Sequence, residues 1–235
     1  MILTLTSPSD IDKLGRNQRK ELYIELLKND LFAFAHFLGY RDVRESTHGE
    51  MIDCLESPLQ RKLITVPRGA FKSSVASITY PLWKLIRDPN ERILIDTEVY
   101  TNAVLYLRVI KEHIKSQQFQ ALFGDIEGAV WQEGSIVVNT RTKKYKEPSI
   151  TCGSITTTRV GMHYSTIIGD DYNSRENSKS PELAQKVVDH YRYNLNILEP
   201  DGEYVIIGTR YSENDLIGFI LRDLLGQKDL AEGKF

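Results

Sequence analysis

The sequence has 235 residues, of which 41% are hydrophobic, and this is enough to bury the core of one large α/β domain. The 30 Lys and Arg and 32 Asp and Glu residues give a net charge of -2, so the chain as a whole does not attract nucleic acid, and any DNA contact must be local. Cys54 and Cys152 form no CxxC pattern, which argues against a disulfide framework or zinc site and favours free thiols. With no apolar run of roughly 18 residues and no signal-peptide pattern, we expect a soluble, cytosolic protein.

The first predicted elements are helices. Apolar residues recur at helical spacing over 17–38, with a break near 29–30, which predicts two short helices. A third helix is predicted to begin after Ser46 and to stop at Pro58.

From residue 63 onwards, short β-branched runs alternate with helical stretches. The predicted strands are 63–66, 92–96, 135–139, 149–155, 165–170 and 204–209. The predicted helices are 73–86, 101–116, 181–198 and 215–225. This alternation predicts an α/β fold with a mainly parallel central sheet flanked by helices. The runs 135–139 and 149–155 have no helix between them and are also compatible with an antiparallel pair, and the polar loop 173–180 is the best candidate for a mobile lid.

The segment LITVPRGAFKSS, 63–74, has the order of a phosphate-binding loop: a buried strand, a Pro-Arg-Gly turn and a helix start. Lys72 would reach the β and γ oxygens of a nucleoside triphosphate, and the Ser73 hydroxyl would bind Mg²⁺. The pattern GxxxxGK[ST] is not met, because Val66 and Phe71 stand at its two glycine positions. An ordinary surface cap at a helix start is the alternative interpretation.

Two adjacent carboxylates follow the predicted strand in STIIGDDYN. Open α/β sheets bind ligands beyond the carboxyl ends of their strands, so this position suits a nucleotide site. Asp170 would hold Mg²⁺, and Asp171 would orient or deprotonate the attacking water. The alternative is a solvated acidic turn.

A third predicted strand, YVIIGT, ends at Thr209 and continues as RYSENDL. A polar side chain at this end can contact both the γ-phosphate and the catalytic water, so Thr209 is the candidate sensor that reports hydrolysis. The alternative is a strand terminus followed by a helix cap at Ser212 or Asn214.

Together these segments resemble the large terminase subunits of tailed bacteriophages. That family has a loop reading like PRG..KS, an apolar strand that ends in an acidic pair, and a later GTR…NDL segment, and all three stand here in that order. With weaker matches in ILIDTEVYTNAVLYLRVIKEHI and TTTRVGMH, the resemblance covers roughly 46–226. It implies an ASCE-type P-loop NTPase in which 1–60 is a helical segment packing on an ATPase core of 61–235. The nuclease domain that usually follows is expected to be absent from this chain, so we expect no nuclease activity.

The resemblance also implies a function, cofactors and partners. The chain would hydrolyse ATP with Mg²⁺ to drive double-stranded DNA into a procapsid. Its partners would be DNA, the portal or procapsid and the small terminase subunit, with no membrane involved. It would form a homo-oligomeric ring when assembled, with a monomer in isolation also compatible, and it would act in the host cytoplasm.

The resemblance assigns site residues by position. The nucleotide-binding residues are Arg68, Gly69, Ala70, Phe71, Lys72, Ser73, Ser74 and the upstream His48. The metal ligands are Ser73 and Asp170. The catalytic residues are Asp171, Thr209 and an arginine finger. Family members commonly have Glu where Asp171 stands, and Asp171 is one methylene shorter.

Phosphoryl transfer commonly needs a positive charge on the γ-phosphate, and three arginines are candidates for it. Arg68 would act within its own loop, Arg159 would act on the nucleotide of a neighbouring subunit, and Arg210 adjoins the candidate sensor.

Three other functions stay open at this point. A helicase-like or recombination-type P-loop ATPase shares the strand order, although no further helicase motif is found. A small-molecule kinase would use 173–180 as its lid. A non-catalytic scaffold with a degenerate loop is favoured by the loss of both usual glycines.

Overall fold

The computed structural model of the chain describes residues 14–67, 69–157 and 159–224. The α-helices in these ranges are α1 Arg16–Asn29, α2 Leu31–Phe37, α3 Glu45–Glu56, α4 Tyr80–Arg87, α5 Tyr100–Lys115, α6 Gln117–Phe123, α7 Pro181–Asn196 and α8 Leu216–Phe219. Two π-helical segments, Ser74–Thr79 and Ile220–Leu224, are continuous with α4 and α8. The strands are β1 Arg61–Thr65, β2 Ile93–Thr97, β3 Glu127–Gln132, β4 Ser135–Val138, β5 Ile150–Ser154, β6 Tyr164–Asp170 and β7 Leu198–Gly208.

The strands form one sheet in the order β1-β7-β6-β2-β5-β4-β3. The first five are parallel, β4 is antiparallel to β5, and β3 is antiparallel to β4. This confirms a mainly parallel sheet flanked by helices, together with the antiparallel pair between the runs 135–139 and 149–155.

Helices cover both faces of the sheet, and alternation along β2 shows how. Ile93 and Ile95 pack into the core beneath α1 to α6, whereas Leu94 faces the opposite core beneath α7 and α8. All three side chains are fully buried because successive strand residues point to opposite faces of a sheet that is covered on both sides.

The predicted break between the first two helices is confirmed, and its cause is a cap. The side chain of Asp30 accepts a hydrogen bond from the backbone N–H of Ala33 at 2.7 Å and so begins α2 where α1 ends. The indole N–H of Trp83 on α4 donates to the carbonyl of Leu27 on α1 at 3.0 Å. The N-terminal helices therefore pack directly on a helix that covers the sheet.

The helix predicted over 73–86 is interrupted by a π-helical segment. Pro81 has no N–H to donate to Ser77, and in an α-helix its ring would clash with the Ser77 carbonyl. The wider π turn, in which the N–H of Tyr80 bonds to the carbonyl of Val75, relieves that clash.

Other boundaries also differ from the prediction. Neither α6 nor β3 was predicted. The stretch 181–198 ends as a helix at Asn196, and β7 begins at Leu198, because Glu199, Pro200, Asp201 and Gly202 form a bulged strand rather than a turn. The helix predicted over 215–225 is split into α8 and a π-helical segment, and Leu225 lies outside the described residues.

No helix among the described residues has both the length and the apolar composition needed to cross a bilayer. Cys152 is buried and Cys54 is half-buried, and both are free thiols as predicted. Burial raises the pKa of the Cys152 thiol to about 12, so this thiol is unreactive near neutral pH.

Candidate active site

The three predicted motif segments meet at one edge of the sheet. β7 lies between β1 and β6, with Thr65 opposite Gly208 and Asp170 opposite Ile207. Because the three strands are parallel, their carboxyl ends lie side by side, and the residues that follow them share one crevice.

The phosphate loop bends through two left-handed residues. Gly69 has φ 81° and Phe71 has φ 49°, and helical structure begins at Lys72. A left-handed non-glycine residue costs roughly 1–3 kcal/mol, and such residues concentrate at functional sites. The result is a curled backbone that leads into a helix N-terminus, the arrangement that binds anions.

Lys72 is the centre of the site. Its side chain is 8% exposed, and its ammonium donates to Asp171 Oδ1 at 2.6 Å and to Thr209 Oγ1 at 3.2 Å. One cation thus joins the phosphate loop, the acidic strand end and the third strand end. These residues are 99 and 137 positions from Lys72 in the sequence.

Asp170 is a buried carboxylate with unused acceptor capacity. Its Oδ2 accepts from the Ser77 hydroxyl at 2.6 Å, whereas its Oδ1 has no hydrogen-bond partner. Burial raises the pKa of Asp170 to about 6, and the neighbouring charge of Asp171 acts in the same direction. The Ser77 and Ser73 hydroxyls and the Lys72 ammonium act in the opposite direction. A cation bound beside Ser73 would use the unpaired oxygen, Asp170 Oδ1, as a ligand.

Asp171 differs from Asp170 in exposure and in backbone. Its side chain is 45% exposed, its φ is 48°, and its N–H donates to the carbonyl of Ile207 at 2.9 Å. Asp170 therefore points into the core of the site and Asp171 towards its opening.

The donor set fits Mg²⁺ held in part by a nucleotide. Asp170 and Ser73 supply one carboxylate and one hydroxyl oxygen, and Mg²⁺ is usually bound by one or two carboxylates together with phosphate oxygens and water. Over residues 14–67, 69–157 and 159–224, no group of three or more His, Cys, Asp or Glu side chains is placed to hold a metal by itself.

Two members of the site were missed in the sequence. Ser77 lies one helical turn after Ser73, and this i, i+4 spacing was the available signal. Tyr106 on α5 lies near Ser73 and Asp170; burial raises its pKa to about 12, with the Asp170 charge adding to the effect. Nothing in the sequence around Tyr106 distinguishes it from an ordinary residue of an amphipathic helix.

His48 is brought to the phosphate loop. It is 4% exposed, its ring meets the ring of Phe71 edge to face at a centroid distance of 6.0 Å, and its Nδ1 accepts from the N–H of Arg44 at 2.9 Å. Its Nε2 is buried without a hydrogen-bond partner. The contact places His48 beside the loop.

Two further predicted residues, Ala70 and Ser74, lie in the loop and at the start of the following helical segment, and neither makes a polar contact with Lys72. Ala70 is half-buried in the turn, and Ser74, also half-buried, begins the π-helical segment, where its carbonyl accepts from the Thr79 hydroxyl at 2.8 Å.

Arg159 and Arg210 are not brought to Lys72, Asp171 and Thr209. The Arg159 side chain is 10% exposed, and its guanidinium donates to the Cys152 carbonyl at 2.6 Å and lies 4.0 Å from Asp96 Oδ1. It is thus turned into its own domain. Arg210 is exposed and donates to the carbonyl of Ser212 at 3.3 Å. Arg68 lies outside the described residues.

The helix that follows Thr209, α8, begins at a capping residue that was not predicted. Asp215, rather than Ser212 or Asn214, is the N-cap of α8, and its side chain accepts from the N–H of Gly218 at 2.8 Å. The N–H of Leu216 donates to Asn173 Oδ1 at 3.2 Å, so this segment is tied to the one that follows the acidic pair.

The sequence matches no protein-family model, and no curated protein is significantly similar to it. Among solved structures, one chain with a similar fold is a variant of Dbp5 from S. cerevisiae bound to Nup159, a Gle1 variant, IP6 and ADP; the identity is 11% and the TM-score is 0.48. The match covers 82% of this chain and 48% of that one, so this chain spans about half the length of that protein. Similarity at this level does not carry the properties of that protein over to this chain.

Proposed function

We propose that this chain is the ATP-hydrolysing motor domain of a viral terminase large subunit, which drives double-stranded DNA into a procapsid. The observation that carries the proposal is the position of Lys72, whose ammonium contacts both Asp171 and Thr209 at the carboxyl edge of the sheet. A lysine at a helix start, within reach of the ends of two neighbouring strands, is placed as the lysine of a triphosphate-binding loop would be.

Binding of the triphosphate follows from the loop. The backbone N–H groups around Gly69 and Phe71, both in left-handed conformation, and the helix start at Lys72 form a concave anion site. The ammonium of Lys72 would exchange its bonds to Asp171 and Thr209 for the β and γ oxygens. His48 and Phe71 supply an aromatic wall beside the same loop.

Asp170 and Ser73 are the residues that would hold Mg²⁺. When bound, the ion would neutralise charge on the β- and γ-phosphate oxygens. Ser77 fixes the orientation of the Asp170 carboxylate through Oδ2 and leaves Oδ1 free to act as a ligand. The proposal thus accounts for a buried oxygen that otherwise lacks a partner.

Asp171 is the residue that would orient the attacking water and accept its proton. It is half-exposed at the mouth of the crevice, whereas Asp170 is buried. The two carboxylates thus have different surroundings, which suits one metal ligand and one base. Release of Lys72 to the phosphates would free Asp171 Oδ1 for the water.

Thr209 would report the state of the site. Its hydroxyl lies 3.2 Å from the Lys72 ammonium, so movement of Lys72 onto phosphate would change the contact at the end of β7. The segment after Thr209 leads to α8, which is joined to Asn173. This connects the end of β7 to the segment that follows Asp171.

The terminase part of the proposal rests on the order of the three motifs and on the flanking segments TTTRVGMH and RYSENDL. As a terminase subunit, the chain would have double-stranded DNA, a portal or procapsid and a small subunit as partners. It would assemble into a ring of copies and act in the host cytoplasm. Arg159 stays the proposed finger in trans; to reach a neighbour, its side chain must leave the Cys152 carbonyl and Asp96.

Two alternatives give different outcomes in the test. A helicase-like P-loop ATPase has the same site but responds to single strands. A small-molecule kinase needs a closing lid, and here Asn177 anchors 173–180 by donating to the Tyr172 carbonyl at 2.7 Å and to Glu98 Oε1 at 3.1 Å. That anchoring favours an ATPase over a kinase.

The test measures ATP hydrolysis by the purified chain with and without Mg²⁺, alone and with double-stranded or single-stranded DNA. We expect Mg²⁺-dependent turnover that double-stranded DNA stimulates. Preferential stimulation by single strands would favour the helicase-like enzyme, and turnover indifferent to DNA would favour the kinase. Absence of Mg²⁺-dependent nucleotide binding would leave the non-catalytic scaffold.

A further inference from the structure

The chain directly after Asp171 folds back onto β6. The ring of Tyr172 lies against the backbone of Gly169, where a Cβ would stand 2.7 Å from the Tyr172 Cζ atom. Any side chain at that position would therefore displace the ring. Glycine three residues before the tyrosine is what allows the turn to close over the strand that carries Asp170.

The hydroxyl of Tyr172 is anchored deep in the domain. It donates to Asp96 Oδ2 at 2.8 Å and lies 3.1 Å from both the Tyr204 hydroxyl and Asn194 Nδ2. Tyr172 is 2% exposed, and burial together with the Asp96 charge raises its pKa well above the ordinary value. The hydroxyl is thus a permanent donor.

Asp96 is the fixed end of this anchor. It is fully buried at the carboxyl end of β2, and its Oδ2 also accepts from His190 Nε2 at 2.5 Å and Asn194 Nδ2 at 2.8 Å, both from α7. Its Oδ1 lies 4.0 Å from the Arg159 guanidinium. A buried carboxylate needs donors, and although Asp96 Oδ1 has no hydrogen-bond partner in the described part of the chain, the three donors on Oδ2 give Asp96 a single position.

Asp171 is therefore held from both sides. Its own N–H bonds to the Ile207 carbonyl at 2.9 Å, and its neighbour Tyr172 is fixed at the hydroxyl by Asp96 and at the carbonyl by Asn177. Asp tolerates the left-handed region better than most residues, and its φ of 48° here is held by the contacts on both sides.

We infer that Tyr172, anchored on Asp96, is a positioning residue that holds the Asp171 carboxylate in line with Lys72 and so sets the rate of water activation. The inference rests on the proposed function, because it assigns Asp171 a role in hydrolysis. It adds two residues, Tyr172 and Asp96, to which the sequence motifs assigned no role.

The test begins with Tyr172→Phe, which removes the hydroxyl and keeps the ring over Gly169. We expect kcat for ATP hydrolysis to fall about tenfold or more, because small displacements of a reacting group cost up to about 100-fold, while KM and the Kd for ATP stay the same. Asp96→Asn, which keeps the shape of the anchor, should lower kcat in the same way and serves if Tyr172→Phe does not fold.

The matched control is Tyr80→Phe. Tyr80 is also buried, and its hydroxyl also bonds to a carboxylate, Glu203, at 2.7 Å. Glu203 lies five residues before the end of β7, about 16 Å from the site at roughly 3.3 Å per strand residue. Tyr80→Phe should lower the thermal midpoint to a similar extent and leave kcat unchanged. An equal loss of kcat in Tyr80→Phe would make the effect a general loss of packing and overturn the inference.

A double variant gives the sharpest outcome. If Tyr172 acts through Asp171, adding Tyr172→Phe to Asp171→Asn should cause no further fall in kcat. A full tenfold loss in the Asp171→Asn background, or wild-type kcat in Tyr172→Phe, would overturn the inference and leave the ATPase assignment intact. Absence of Lys72-dependent turnover in the wild-type chain would instead overturn the proposed function, and the inference with it.

Discussion

Asp96 and Asp170 are two buried carboxylates at the ends of adjacent strands, and they are surrounded in opposite ways. In the register of β2 and β6, Asp96 lies opposite Gly169 and Thr97 lies opposite Asp170, and the exposed fractions of the two aspartates are 0% and 1%. Asp96 Oδ2 accepts three hydrogen bonds from tyrosine, histidine and asparagine side chains. Asp170 accepts one, from Ser77, and Oδ1 of each aspartate has no hydrogen-bond partner among the described residues, although that of Asp96 lies 4.0 Å from the Arg159 guanidinium.

The difference teaches that the donors around a buried acid, rather than its burial, indicate what it does. A carboxylate that is held by three fixed donors on one oxygen and faces a guanidinium with the other is an anchor, because its position is determined and a cation already lies beside its unpaired oxygen. A carboxylate with a single hydrogen bond and a raised pKa is suited to a cation that replaces the missing donors. The first description fits Asp96, and the second fits Asp170.

The largest expected effect comes from substitution of Lys72, the central residue of the candidate site that contains Asp170. Lys72→Ala should abolish ATP hydrolysis and sharply weaken triphosphate binding, because the ammonium is the cation that we propose meets the β and γ oxygens. The measurements are steady-state turnover and binding of a fluorescent ATP analogue. Lys84→Ala is the control: it removes a lysine that also pairs with carboxylates, Glu91 at 3.0 Å and Glu203 at 3.1 Å, and should keep turnover. Wild-type turnover in Lys72→Ala would refute the phosphate-loop assignment.

The next effect tests whether Arg159 belongs to the Asp96 cluster or serves a neighbouring subunit. If it is the finger in trans, Arg159→Ala should lower hydrolysis in the assembled motor by about 10³ to 10⁵. A mixture of Arg159→Ala and Lys72→Ala chains should then recover part of the activity, because one retains an intact pocket and the other an intact finger.

The control mixture replaces Arg159→Ala with Arg68→Ala and should show no rescue if Arg68 acts in its own loop. An assembled Arg159→Ala motor with full activity, or mixed chains that assemble without rescue, would leave Arg159 as a partner of Asp96 and the Cys152 carbonyl. Arg68 or Arg210 would then be the finger.

Asp171→Asn should slow hydrolysis by about 10² to 10⁴, the usual contribution of a general base, and should retain ATP binding. The substitution also removes the 2.6 Å ion pair with Lys72, so nothing in it opposes transfer of the ammonium to phosphate. Single-turnover hydrolysis and nucleotide titration measure the two effects separately. Loss of Mg²⁺ binding in Asp171→Asn, together with full activity in Asp170→Asn, would reverse the roles assigned to the two acids.

The smallest effects compare the two buried acids directly through stability. The folded-state pKa of Asp170 is raised from 3.8 to about 6, so protonation stabilises the folded chain; that contribution is complete below about pH 4 and is lost as the pH rises through 6. Asp170→Asn should therefore raise the free energy of unfolding at pH 8, without Mg²⁺, by about 1–3 kcal/mol, and have no such effect at pH 4.

Asp96→Asn should change stability in the opposite direction. It weakens charge-assisted hydrogen bonds from Tyr172, His190 and Asn194, so it should lower the free energy of unfolding at pH 8 by about 1–3 kcal/mol. Urea denaturation of both variants at both pH values measures the pair. Changes of the same sign at pH 8 would remove the distinction between anchor and ligand site.

Much of the fold was predictable because local patterns fix it. Apolar periodicity located the break between α1 and α2, the parallel strands and the antiparallel pair of β4 with β5. The start of the last strand was predicted wrongly, at Tyr204 instead of Leu198. Glu199, Pro200, Asp201 and Gly202 have turn composition, but β6 supplies a partner for a bulged strand there, and a pairing partner 30 or more residues away is not visible in a short window.

The sequence by itself determined which residues carry polar chemistry at the strand ends and in what order: Lys72, Asp170, Asp171 and Thr209. Their spacing after apolar strands predicted a shared edge, because parallel strands end on the same side. Tertiary structure alone decided that Lys72 bonds to both Asp171 and Thr209, that Tyr172 rests on Asp96, and that Arg159 faces inward. The partners in the first two sets of contacts are 76 or more positions apart, and no local pattern encodes which buried donor meets which buried carboxylate, since that depends on how helices and strands from distant segments pack together.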